Sequence, residues 1–134
     1  MKRIVKDFLY ESLTYKIRGA IFVVYNILGF GHKEVIYQKA LARELDKIDV
    51  QYKREPKLEV VYDNEPLGTY VPDFLVEGQV IIELKSAQVA PFNMDKQLVN
   101  YLKATGYKLA LFVNFGPKLD IRRKVWSKNR RDQQ

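Results

Sequence analysis

The stretch that most constrains this chain is residues 70–85, Tyr-Val-Pro-Asp-Phe-Leu-Val-Glu-Gly-Gln-Val-Ile-Ile-Glu-Leu-Lys. It reads as two strands, Thr69 to Val76 and Gln79 to Lys85, joined by a tight turn at Glu77-Gly78. The second strand opens on Val80-Ile81-Ile82, an apolar β-branched run of the kind covered on both faces. Glu83 and Lys85 then interrupt it two residues apart, so strand periodicity puts both on one face. A carboxylate and an ammonium at the end of a buried strand cost free energy unless they are paired, hydrated or metal-bound. That cost marks the stretch as a candidate site.

Asp73, after Pro72 on the first strand, joins the pair only if the register allows. A two-residue loop, Glu77-Gly78, opposes Asp73 to Ile82 and turns it away from Glu83. A three-residue loop, Val76-Glu77-Gly78, opposes it to Ile81 on the face of Glu83 and Lys85. A functional site therefore requires an odd-length loop or a bulge. Asp73 and Glu83 together offer hard oxygen ligands suited to magnesium or manganese. Lys85 would position or deprotonate an attacking water, or offset charge on phosphorus. The structural alternative is a partly buried Glu83–Lys85 pair with Asp73 facing solvent.

The rest of the chain frames that stretch. Leu9, Leu13, Ile17, Ala20, Ile21, Val24 and Leu28 recur at helical spacing over residues 8–28, and Gly29-Phe30-Gly31 ends the helix. A second helix is expected from about Lys33 to Ile48 on the stripe Ile36, Tyr37, Ala40, Leu41, Leu45 and Ile48, with Glu34 in its first turn complementing the dipole. Strands follow at Gln51 to Arg54 and Leu58 to Tyr62, then a turn cluster at residues 63–68. Beyond Lys85 the pattern gives a loop to Asn93, a helix Met94 to Thr105 capped by Asn93 or Asp95, a buried strand Lys108 to Asn114, and an edge strand Ile121 to Ser127. A crossover helix between Lys85 and Lys108 makes those two strands parallel neighbours. The expectation is one α/β domain over residues 1–134, a mixed β-sheet flanked by helices.

Composition narrows the chemistry. There is no cysteine and one histidine, His32, which excludes thiolate sites and argues against a multi-histidine zinc centre. No apolar run is long enough to span a bilayer and the start lacks a secretory core, so no membrane association and a cytoplasmic location are expected. The net charge of +7 lies at the ends: residues 1–18 carry five Lys/Arg against two acids and residues 117–134 seven against two. Basic arms of this kind bind phosphate backbones or merely solubilise. Lys118, Arg122, Arg123, Lys124 and Lys128 are the candidate nucleic-acid contacts, with Trp126 either stacking on a base or packing on an amphipathic edge strand.

Pro72-Asp73 with Glu83-Leu84-Lys85 resembles the signature of the PD-(D/E)XK nuclease superfamily. Two further tracts, Gly31-His32-Lys33-Glu34-Val35-Ile36-Tyr37 and residues 97–106, are similar to the small bacterial GxxExxY family within it, over about Thr14 to Phe115. The resemblance implies a restriction-endonuclease-like core and a Mg2+- or Mn2+-dependent phosphodiesterase site. It implies Asp73, Glu83, the Leu84 backbone carbonyl and Glu34 as metal ligands, Glu34 directly or through water. It also implies Lys85 as catalytic lysine and Gln97 as the residue orienting that lysine or the water. Tyr101, one turn after Gln97, either bonds within the site or packs, Tyr37 packs, and His32 serves the glycine turn or touches substrate. The leading expectation is a metal-dependent nuclease acting on nucleic acid, DNA ahead of RNA. A binding module with little turnover and a protein-interaction or homodimerisation domain stand as alternatives.

Overall fold

The computed structural model describes residues 10–127. Helix α1, Glu11–Leu28, and helix α2, Glu34–Lys47, precede the sheet strands. Strands β1 (Tyr52–Arg54), β2 (Leu58–Tyr62), β3 (Glu65–Tyr70), β4 (Phe74–Val76) and β5 (Val80–Lys85) follow. Helix α3, Met94–Thr105, then leads to β6 (Leu109–Phe115) and β7 (Leu119–Val125). The main sheet has five strands in the order β1-β4-β5-β6-β7, and β2-β3 form a separate two-stranded sheet. β5 and β6 are parallel, as the crossover through α3 requires, and the other pairs are antiparallel.

Both faces of the main sheet are covered, which explains why its central strands are apolar on every side. Val80, Ile82, Leu84, Leu109, Leu111, Val113 and Phe115 pack against Ile17, Ile21 and Val24 of α1 and Tyr37, Leu41 and Leu45 of α2. On the other face Ile81 and Ala110 meet Leu102 of α3 and Leu58 and Tyr70 of the small sheet, while Phe112 meets Met94 and Leu98.

Four expectations need correction. Thr69 to Val76 is not one strand: β3 ends at Tyr70 and β4 begins at Phe74, because Pro72 lacks the N–H a ladder needs. Residues 65–68 are strand, since Asp63 and Asn64, with φ of 54° and 63°, already reverse the chain as a two-residue turn. Asn93 stands at the start of α3 in the left-handed region and makes no side-chain cap bond. The buried stripe of α2 is Tyr37, Gln38, Leu41, Ala42 and Leu45, rotated so that Ile36 and Ile48 are exposed. Gln38 enters the interior because its amide has partners there, as described below.

Tyr37 ties α2 to the sheet. Its ring stacks on Phe115 at 4.2 Å, and its hydroxyl donates to the Gly29 carbonyl and accepts the His32 N–H. Tyr37→Phe is expected to cost about 1 kcal/mol through the lost hydroxyl bonds. Tyr37→Ala is expected to cost about 3–5 kcal/mol through the cavity. Urea unfolding of the two variants checks the order; equal losses would mean that the ring contributes nothing beyond its hydroxyl.

Candidate active site

The hairpin register decides the site. Val76 pairs with Val80, Leu75 with Ile81 and Phe74 with Ile82, which leaves Glu77-Gly78-Gln79 as a three-residue loop. Glu77 and Gly78 take φ of 53° and 65°, and the Gln79 N–H closes the turn on the Val76 carbonyl at 2.9 Å. The loop is odd-length, as a functional site requires, but starts one residue later than Val76. Continued by one residue, this register sets Asp73 opposite Glu83 rather than Ile81.

Hydrogen bonds lock the two carboxylates together. The Asp73 N–H donates to Glu83 Oε1 at 3.3 Å and the Leu84 N–H donates to Asp73 Oδ2 at 2.7 Å. Burial, then the neighbouring Asp73 charge, push the Glu83 carboxyl up to about 8. Above Glu83 lies Tyr70, whose buried hydroxyl has no partner of hydrogen-bond geometry. Burial and the Glu83 charge raise that phenol above its ordinary range. The site thus contains a buried acidic pair with a phenol beside it.

Lys85 shares the face of Glu83 and is half-buried, and among the described residues no carboxylate lies within ion-pair distance of it. The Glu83–Lys85 pair of the structural alternative is not formed. The strand end is fixed from both sides. Ser86 Oγ donates to the His32 carbonyl at 2.7 Å, and Asn114, level with Lys85 on β6, holds Ala87 by its N–H at 3.0 Å and its carbonyl at 3.1 Å. His32 Nε2 bonds the Leu28 carbonyl at 3.0 Å, so this residue serves the turn that anchors the end of β5.

Glu34 is exposed in the first turn of α2, and no contact joins it to Asp73 or Glu83. Among the described residues no three His, Asp or Glu side chains converge tightly enough to hold an ion. What reaches Asp73 from α2 is Gln38, one turn on and about 6 Å further along the axis. Its Nε2 donates to Asp73 Oδ1 at 2.8 Å and to Glu55 Oε2 at 3.3 Å, and its Oε1 accepts from Arg54 Nη2 at 2.7 Å. Sequence reading missed Gln38, Arg54, Glu55 and Tyr70. Gln38 carried a signal, a polar residue beside Tyr37 one turn before Leu41 and Ala42.

Gln97 does not touch Lys85. Its amide lies 3.5 Å from the Tyr101 hydroxyl, and Tyr101 stacks on Tyr70 at 3.8 Å, so α3 reaches Glu83 through two tyrosines. Of the candidate nucleic-acid contacts, Arg122 is bound by Asp120 and Asp95 and Lys124 by Asp95. Lys118 is exposed, Arg123 is half-buried on the opposite face of β7, and Lys128 lies outside the described residues. Trp126 packs beside Tyr70 and Leu102, the edge-strand role.

The model of the PD-(D/E)XK nuclease superfamily matches residues 11–124. No curated protein matches the chain significantly. A solved structure, an alkaline exonuclease from Laribacter hongkongensis, is similar with a TM-score of 0.48 and 14% identity over 69% of this chain; the chain spans 55% of that exonuclease.

The Glu83 shift has a sign that can be checked. Below the unfolded value of 4.5 both states hold the proton; between 4.5 and about 8 only the folded state does. The contribution is therefore complete at low pH and is lost as pH rises through that window, by at most about 1.4 kcal/mol per pH unit. In EDTA, the wild type is expected to lose several degrees of melting temperature from pH 5.5 to 8.5 relative to Glu83→Gln. Parallel curves would remove Glu83 as the buried acid.

Proposed function

Because this chain belongs to the PD-(D/E)XK nuclease superfamily, we propose that it hydrolyses phosphodiester bonds of nucleic acid, DNA ahead of RNA, with Mg2+ or Mn2+ at Asp73 and Glu83. The observation that carries this reading is the forced juxtaposition of these two carboxylates on a strand end with a lysine that, among the described residues, has no carboxylate within ion-pair distance. Within the superfamily, the tract from Gly31 to Tyr37 supports the GxxExxY family.

The donor set fits a hard cation. Two carboxylates converge, and burial and the Asp73 charge keep one of them protonated, with the Tyr70 hydroxyl beside it. Asp73, Glu83 and the Leu84 carbonyl would hold the ion, with Glu34 reached through water. Bound there, a divalent ion supplies a water of lowered pKa and neutralises phosphate charge.

The chain's own residues do the rest. Gln38 and the Leu84 N–H each hold one oxygen of Asp73, which fixes the plane of that carboxylate. Glu83 must release its proton before both its oxygens act as ligands. The Lys85 ammonium places positive charge where negative charge grows on the phosphate oxygens. Gln97, exposed on α3, meets Tyr101, which stacks on Tyr70 beside Glu83.

Plasmid DNA, a single-stranded DNA circle and a structured RNA, each at low salt with EDTA, Mg2+ or Mn2+, test the reading. Metal-dependent cutting is expected, reduced roughly 100-fold or more in Lys85→Ala and in Asp73→Asn. Equal cutting by wild type and variants would refute it. Either metal is also expected to raise the wild-type melting temperature, and Asp73→Asn to abolish most of that rise. A wild-type melting curve indifferent to both metals would remove the cation site.

A further inference from the structure

Arg54 ends β1 opposite Phe74, next to Asp73 across the ladder. Two connections fix it there. The Glu55 N–H donates to the Asp73 carbonyl at 2.9 Å, and the guanidinium donates to Gln38 Oε1 at 2.7 Å while the Gln38 amide donates to Asp73. Glu55 adopts a φ of 49°, a left-handed conformation uncommon outside glycine, and this kink ends the strand right after Arg54.

The partner of Arg54 is a neutral amide. Among the described residues no carboxylate lies within ion-pair distance of the guanidinium, although Glu55 and Asp73 both bond the same Gln38 amide nitrogen. One nitrogen is engaged and the side chain is exposed, so the remaining donors of the fork face solvent. Arg122, Lys124 and Lys47, by contrast, each have an acid within ion-pair distance. The strand order adds a geometric point. β1 and β5 flank β4, so Arg54 and Lys85, neither with a carboxylate in ion-pair distance among the described residues, lie on the strands either side of the one that Asp73 precedes, Arg54 on the face of Phe74 and Ile82 and Lys85 on the face of Glu83. Lys53 and Lys57, both exposed, add positive potential on the Arg54 side.

We propose that Arg54 is a backbone-phosphate site, a preoriented guanidinium that grips a nucleic-acid phosphate neighbouring the one held between Asp73 and Lys85. The inference rests on the nuclease reading above. An arginine fork matches two phosphate oxygens, and an arginine already held by Gln38 loses little freedom on binding. A merely structural Arg54 would satisfy the Gln38 carbonyl and nothing else.

Equilibrium binding of labelled single- and double-stranded DNA in EDTA, across a salt series, separates the two roles. Arg54→Met and Arg54→Gln both remove the charge, and the glutamine keeps a donor for Gln38. Each is expected to weaken binding roughly tenfold and to make the plot of log K against log salt shallower by about 0.7–0.9, the share of one phosphate contact. Arg54→Lys is expected to keep the wild-type slope with lower affinity. Wild-type binding with unchanged affinity and slope in a folded neutral variant would overturn the assignment and leave the nuclease reading standing. No wild-type binding to either DNA would also overturn the assignment, while the nuclease reading would still stand or fall by the cleavage test.

Discussion

Everything in this protein turns on holding two carboxylates side by side at the end of a buried sheet. Left alone, Asp73 and Glu83 repel, and burial makes the repulsion worse; the Glu83 carboxyl responds by keeping its proton to about 8. The fold accepts this cost through a rigid hairpin. The three-residue loop fixes the register, Pro72 separates β3 from β4 just before Asp73, and two backbone N–H groups clamp the pair. Such an arrangement destabilises the bare chain, and it is the arrangement that a divalent cation would relieve.

The helices serve the same point from opposite faces. From one side, Tyr37 closes the glycine turn, and the carbonyl of His32 in that turn receives Ser86, so a helix motif fixes the strand end that carries Lys85. Gln38, next along α2, orients Asp73. From the other side, α3 places Tyr101 on Tyr70 and Tyr70 over Glu83. Asn114 pins Ala87 just beyond Lys85, and Gly116 lies so near that an added Cβ would come within 2.8 Å of the Ala87 carbonyl and 2.9 Å of the Asn114 amide. The mixed sheet with its flanking helices thus works as a clamp on one strand end.

Much of this was legible in the sequence. Period-3.6 and period-2 patterns marked the three helices and the central strands to within a few residues, because those elements bury most of what they expose to their neighbours. The charges in the β5 run marked the site, because a buried apolar strand tolerates Glu83 and Lys85 only for a reason. What stayed hidden depended on rotation and register. Gln38 rather than Glu34 meets Asp73 because α2 is turned so that Ile36 faces solvent, and a stripe of mixed residues does not fix that angle. The basic strand β7 read as a phosphate contact, yet Asp95, 27 residues before Arg122, takes up its charge; ion pairs between distant elements leave no local pattern. Arg54 looked like one more basic residue until its place beside Gln38 was known.

The central claim is that the Asp73–Glu83 pair is a cation site kept protonated in the metal-free state. Calorimetric titration with Mn2+ at pH 7, repeated in buffers of different ionisation enthalpy, counts the protons released for each ion bound. The account predicts binding with release of close to one proton, falling towards zero in Glu83→Gln or when the wild type is titrated above pH 9. Mn2+ binding without proton release at pH 7, or no binding at all, would contradict it.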